Sequence, residues 1–462
     1  MPKAKWQSWL LFVLVVFLYV FVEYGVQRHE TSRLFIGVGI LFLIYFWIVK
    51  AVQEKEIVFW IIASITFRLS LLFALPNLSD DFYRFIWDGH LLAAGYHPFA
   101  ELPRYYIERN IYIPGIDQAL FEKLNSSDYF TIYPPVNQFI FWLSAKLSPH
   151  SIFGSVVVMR SLIIAAEVGS LLLIRRILNH YNLPKKNVLL YALNPLVILE
   201  LTGNLHFEVF LILFLLFSFW FLIRGNIFVS ALHFALAICS KLIPVILLPL
   251  LITRLGLKKV LLFYLITGLC CGLLFLPLLT IEIISGLRES IGYYFKKFEF
   301  NASIYYIVRE WGFWKYGYNI IQTVGWKLAI FCTVAILFYT LRESKINLKL
   351  ETRNPKLETQ YSLPTAYCMV LSIYFGFSTT VHPWYITSLV AFSVFSNYRF
   401  AIVWSALIFL TYAGYTQNGF EENLWLTAVE YVLVIGYLAY ESIWKRDHHF
   451  SLFSIATPNW EK

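Results

Sequence analysis

The stretch Asp80-Asp81-Phe82-Tyr83-Arg84-Phe85-Ile86-Trp87-Asp88-Gly89-His90 puts three carboxylates, an arginine and a histidine within eleven residues, just after a hydrophobic segment. Charge at the edge of a lipid phase is costly and marks function by default. A carboxylate there is suited to take a proton from a hydroxyl as a general base. Plainer roles exist for the same residues. Asp80-Asp81 can be a helix N-cap with a solvated neighbour. Arg84, at i+3 from Asp81, can pair with it, and Asp88 lies two helical turns along the same face. Adjacent side chains diverge, so one aspartate can face a cleft while the other orients a partner.

Polar residues recur at four other places: Gly203-Asn204-Leu205-His206-Phe207-Glu208, Ser240-Lys241, Phe300-Asn301-Ala302-Ser303-Ile304-Tyr305 and His382-Pro383-Trp384-Tyr385. Asn204 and Glu208 share a helix face at i, i+4. His206 and Glu208, two apart, do not, so they are no helical metal pair. His206 and His382 with the aspartates show no ligand spacing, so no metal or other cofactor is expected, with a divalent ion left open. Lys241 lies between Cys239 and Pro244 in an apolar stretch. An ammonium there needs an anionic partner, either a protein carboxylate or a phosphate. Lys296 and Lys297 are either solvated charge or a second phosphate contact. His382-Pro383-Trp384 can equally be a helix break with an interfacial tryptophan.

The elements that hold these groups are membrane helices. Of 462 residues, 59% are hydrophobic and 14% charged, against about 25% charged in a soluble domain. The net charge of +9 sits in short loops between apolar runs, a positive-inside pattern rather than a nucleic-acid footprint. With Lys3 and Lys5 inside, the run at about 8–26 is an uncleaved first span, followed by spans at about 34–50 and 57–75. Arg68, in the third, either snorkels or pairs with a loop carboxylate. Residues 76–134 form a long outer loop, in which a short amphipathic helix around Trp87 lies at the interface and ends at Gly95-Tyr96-His97-Pro98. The run from Pro135 to Leu147 is short of the ~20 residues that a span needs and reads as an interfacial or re-entrant helix.

Beyond residue 152, Lys and Arg alternate with apolar runs, and a second outer loop covers about 281–319. The expected fold is all-α: a polytopic transmembrane bundle of about fourteen spans, one integral membrane domain over 1–462, with both termini cytoplasmic. All five polar groups then fall on the outer face. Cys239, Cys270, Cys271, Cys332 and Cys368 have neither redox nor metal spacing and read as small buried hydrophobes.

The order of motifs resembles the C-type membrane glycosyltransferases, specifically the bacterial polyprenyl-phosphate-mannose-dependent mannosyltransferases. The likeness rests on Asp81-Phe82-Tyr83-Arg84 with Trp87-Asp88-Gly89, Gly95-Tyr96-His97-Pro98-Phe99, Tyr133-Pro134-Pro135, Asn194-Pro195 with Glu200, and Gly203-Asn204-Leu205-His206. Ser240-Lys241-Leu242-Ile243-Pro244, Phe300-Asn301-Ala302-Ser303 and His382-Pro383-Trp384-Tyr385 continue it, so that it covers about residues 75–390. The chain departs from the family pattern at His97-Pro98-Phe99, where Asn-Pro-Tyr is more frequent, and this bears on loop packing more than on chemistry.

The resemblance implies an acidic residue of the first large outer loop as general base, best matched by Asp81 with Asp80 second. It implies a polyprenyl-phosphate-sugar donor with mannose as the hexose, a glycan or glycolipid acceptor, and transfer with inversion. Lys241 is the first choice for the leaving phosphate, with Arg84, Lys296 and Lys297 behind it. Asp88, Asn204, His206, Glu208, Asn301 and His382 are expected around the sugars, with Trp384 and Tyr385 stacking on a pyranose face. The implied setting is a bacterial inner membrane with the site facing the periplasm, and no nucleotide or nucleic acid is bound. Two other readings stand beside it: a flippase or transporter for a lipid-linked saccharide, and a scaffold subunit of an envelope complex.

Overall fold

The computed structural model describes residues 6–279, 298–350 and 363–443. It is all-α apart from a small hairpin, Tyr415–Thr416 paired with Gly419–Phe420. Among the described residues six helices are long and apolar enough to cross a membrane: Trp6–Gly25, Thr31–Ala51, Ile152–His180, Leu257–Leu278, Ile321–Glu343 and Leu424–Ile443. A seventh is reached if Val197–Gly203 and Glu208–Ile223, bent by 111°, count as one broken span. The protein is therefore an integral multi-pass membrane protein, with fewer full-length spans among the described residues than the fourteen expected. Much of the difference lies in shorter apolar helices such as Ile227–Ser240, Ile243–Leu255, Leu363–Phe377 and Phe400–Gly414. Ile57–Ser70, with 14 residues, is ~21 Å long at 1.5 Å per residue, against a hydrocarbon core of ~30 Å.

The helix expected near Trp87 is present as Asp81–Ala93, and Gly95 follows at φ 84°, a backbone region that glycine adopts freely. It is enclosed by the protein. Phe82 and Arg84 to Leu91 are all buried, because the helix packs along Pro135–Leu147 and beneath the loop that joins the two. A Cβ on Gly89 would run into the Phe141 backbone, so the close approach of these helices requires glycine there. Phe85 stacks on Phe141 at 4.7 Å, and both meet Phe207 edge-on at 5.2 and 5.1 Å. That cluster docks the aspartate helix against the bend of the broken span. Pro135 at the first turn of Pro135–Leu147 suits a position whose N–H has no helical partner.

Arg68 neither snorkels nor reaches a loop. Its Nε donates to Glu167 of Ile152–His180 at 2.7 Å, and its Nη1 donates to the Ser64 and Ala192 carbonyls. Tyr191 donates to the other Glu167 oxygen at 2.6 Å. Arg68 and Glu167 are fully buried, and a buried cation among apolar helices is tolerable only with such partners. Cys239, Cys332 and Cys368 are buried, and none of the five cysteines is in a disulfide.

Candidate active site

The two adjacent aspartates are treated differently by the fold. Asp80 makes no side-chain capping bond; it pairs with Arg28, from the turn between the first two helices. The Arg28 guanidinium also lies 5.0 Å from the centre of the Tyr415 ring. Asp81 opens the helix, and its Oδ1 accepts from Asn125 at 2.8 Å. Both aspartates are half-buried.

Across from them stands Lys241. Pro244 has no N–H to donate to Ser240, so Ile227–Ser240 ends there and Lys241 takes an extended backbone, φ −162° and ψ 138°. Its ammonium pairs with Glu208, sits 3.8 Å over the centre of the Tyr385 ring and lies within electrostatic reach of Asp81. Its side chain stays about a quarter exposed, at 26%, while Glu208 is 5% exposed. Of the two partners open to Lys241, a carboxylate is the one present.

Glu208 is placed by the bend after the π-helix Val197–Gly203. Leu205, buried, turns the chain at φ 62°, a conformation that costs an L-residue about 1–2 kcal/mol. Strain of this kind persists only where surrounding contacts hold it. Those contacts centre on Glu200, which accepts from Tyr412 at 2.6 Å and from Asn204 at 3.2 Å and lies 3.4 Å from His206 Nε2. Asn204 Oδ1 in turn accepts from the Leu78 N–H, two residues before Asp80, at 3.3 Å.

Pro383 holds His382 extended, at φ −77° and ψ 153°. The His382 ring is parallel to the Trp384 ring, with centroids 4.4 Å apart, and His206 is stacked on Trp384 at 3.6 Å. Two rings this close and this parallel to one indole occupy its opposite faces. In this arrangement the histidines cover the Trp384 ring, and the ammonium of Lys241 lies over one face of Tyr385. Burial, then the nearby Lys241 and His206, push His382 well below the ordinary histidine range, so it is neutral at pH 7.

Other expected site residues are engaged elsewhere. Arg84 pairs with Asp88 at 2.8 Å and donates to the Ser126 and Tyr129 carbonyls, while Thr131 and Gln138 donate to Asp88. Arg84 and Asp88 are buried and brace the loop over the aspartate helix. Asn301, at φ 44°, is buried by the last helix: its N–H donates to Glu422, its amide to Glu430, and its carbonyl accepts from Tyr431. Its neighbour Phe300 reaches the site, with its ring 4.6 Å from His382. Lys296 and Lys297 lie outside the described residues. Among the described residues no three His, Cys, Asp or Glu side chains converge as metal ligands.

The structure thus brings Asp80, Asp81, Asn204, His206, Glu208, Lys241, His382, Trp384 and Tyr385 into one neighbourhood. Sequence reasoning missed Arg28, Asn125, Tyr412 and Tyr415 there. Arg28 alone left a trace, a basic residue in the turn that leads away from the first span.

The first half of the chain, which carries the aspartates, Asn204, His206, Glu208 and Lys241, matches a family model. The model is that of the N-terminal domain of alpha-(1->6)-mannopyranosyltransferases of the MptA/B family, and the match runs over residues 12–256. Neither a curated protein nor a solved structure matches the chain. With more than half of its length matched, the chain belongs to the MptA/B family of alpha-(1->6)-mannopyranosyltransferases, membrane enzymes that transfer mannose from a lipid donor.

Proposed function

We propose that Asp81 is the general base, and Lys241 the cation at the leaving phosphate, of an inverting mannosyl transfer. Asp81 takes the proton of the acceptor hydroxyl as that oxygen attacks C1 of the donor mannose. The bond from C1 to the phosphate oxygen breaks, its electron pair leaves with the polyprenyl phosphate, and Lys241 offsets the charge that develops there. A single displacement inverts C1, so an alpha linkage is made from a beta-linked donor. An alpha-(1->6) product calls for a primary hydroxyl at C6 of a glycan or glycolipid acceptor.

The division of labour in the aspartate pair carries this reading. Arg28 neutralises Asp80, whereas Asp81 accepts one hydrogen bond and lies within reach of the Lys241 charge. Glu208 orients Lys241 until the phosphate shares it, and Asn204, His206 and His382 border the sugar. The donor's prenyl chain runs between helices of a single membrane domain. The shorter apolar helices, crossing in tandem, would raise the number of spans toward fourteen. The positive-inside distribution of Lys and Arg supports a site on the periplasmic side of a bacterial inner membrane.

The test is mannosyl transfer from polyprenyl-phosphate-mannose by purified protein. Asp81→Asn is expected to lower kcat by about 10²–10⁴-fold, and Asp80→Asn by less than about tenfold. Undiminished transfer by Asp81→Asn removes it from the base role.

A further inference from the structure

Arg160 lies in the first third of Ile152–His180, fully buried, and forms no ion pair among the described residues. Its guanidinium donates instead to four carbonyl oxygens on two separate segments. Nη1 donates to Leu72 at 3.1 Å and to Ala74; Nε donates to Thr202 at 2.8 Å and Nη2 to Gly203 at 2.7 Å. The first pair follows the end of Ile57–Ser70 and the second ends the π-helix Val197–Gly203. Carbonyls at helix C-termini lack helical partners and carry partial negative charge. One planar fork of five N–H donors thus ties the turn after one helix to the end of another, which the three donors of a lysine, radiating from one point, cannot do.

What these ends lead to gives the contact its meaning. Six residues beyond Ala74 is Asp80, followed by Asp81; beyond Gly203 come Asn204, His206 and Glu208, the partner of Lys241. The bond from Leu78 N–H to Asn204 joins the same two segments a second time. Glu23, buried and, among the described residues, without a hydrogen bond to its carboxyl oxygens, lies against Gly203.

We infer that Arg160 is a positioning residue for the transfer: by clamping residues 72–74 to 202–203 it sets the gap between Asp81 and the Glu208–Lys241 pair. The inference rests on the reading of Asp81 and Lys241 as the reacting pair. A shift of about 1 Å between reacting groups can cost about a hundredfold in rate, while the ligand-binding surfaces themselves stay whole.

The experiment compares Arg160→Lys with wild type in lipid nanodiscs, by steady-state kinetics and by hydrogen exchange. The expected result is kcat at least about tenfold lower with donor and acceptor KM within about threefold, and faster exchange in peptides covering both 72–79 and 202–208. A kcat within threefold of wild type, a loss carried by KM, or faster exchange in neither segment or only one overturns the clamp. If Arg160→Lys fails to fold, Gly203→Ala decides. Its Cβ would lie 2.5–2.6 Å from the Glu23 carboxyl atoms and displace the same turn. A kcat loss that Glu23→Ala restores upholds the inference; a kcat unchanged by Gly203→Ala, or a loss not restored, overturns it. Failure of the underlying reading has a different signature, undiminished transfer by Asp81→Asn.

Discussion

At the scale of single residues, the site is governed by which charges are already engaged. Asp80 with Arg28 and Arg84 with Asp88 form two such pairs, and both leave Asp81 as the aspartate of that stretch within electrostatic reach of Lys241. His382 belongs to the same account through its neutral state. Its folded form holds a proton less readily than the unfolded chain, whose histidine titrates near 6.5, because of burial first and the Lys241 charge second. Below about pH 6.5 the unfolded state therefore binds more protons than the folded one, and stability falls with acidification until His382 itself protonates. His382→Gln is expected to flatten part of the loss of thermal stability between about pH 6.5 and pH 5. An unchanged pH dependence in the variant would mean that His382 is hydrated rather than enclosed by Phe300 and Trp384.

At the scale of elements, the groups proposed to react are held by helix ends and breaks more than by helix bodies. Asp81 begins a helix, Lys241 follows one, and Glu208 starts the second half of the broken span. These places were legible in the sequence because proline and glycine mark breaks and because polar residues stand out against apolar runs. The aspartate helix and its stop at Gly95 were legible for the same reason. Arg160 was not, since its partners are backbone carbonyls, which leave no side-chain signature at any spacing. Nor was the covering of Trp384, where two histidines far apart in sequence meet one indole.

The Arg68–Glu167 pair shows the same limit: a charge inside a helix announces the need for a partner without saying which helix supplies it. Its removal has a definite expected effect. Glu167→Gln leaves Arg68 buried with no countercharge, and is expected to destabilise the folded state by about 3–5 kcal/mol. Thermal unfolding in detergent measures this, and a Tm unchanged from wild type would contradict it.

At the scale of the molecule, one continuous apolar core runs from Val15 to Val434, and outside it the helices present apolar faces suited to lipid. Leu261, Leu265, Leu269 and Leu273, four apart on Leu257–Phe275, are 57–69% exposed and make one such stripe. The broken span with buried polar groups at its bend is a device that transporters also use to frame a site inside a membrane; here it frames the proposed site of glycosyl transfer. The count of spans was the least legible feature, because a hydrophobic run of fourteen residues reads alike whether it crosses, re-enters or packs inside the bundle.

Which side the site faces is testable through the loop over the aspartate helix. Tyr112 on that loop is 86% exposed, so Tyr112→Cys in a cysteine-free background is expected to react with an impermeant maleimide added to the periplasmic side. Labelling only after the cytoplasmic side is opened would reverse the orientation.

The most direct measurement is a structure of the enzyme with polyprenyl-phosphate-mannose bound. The account predicts a phosphate oxygen at about 3 Å from Lys241 Nζ, with the opposite face of C1 open toward the Asp81 carboxylate. A phosphate held away from Lys241, or a mannose whose open face looks toward Asp80 and Arg28 instead, would contradict it.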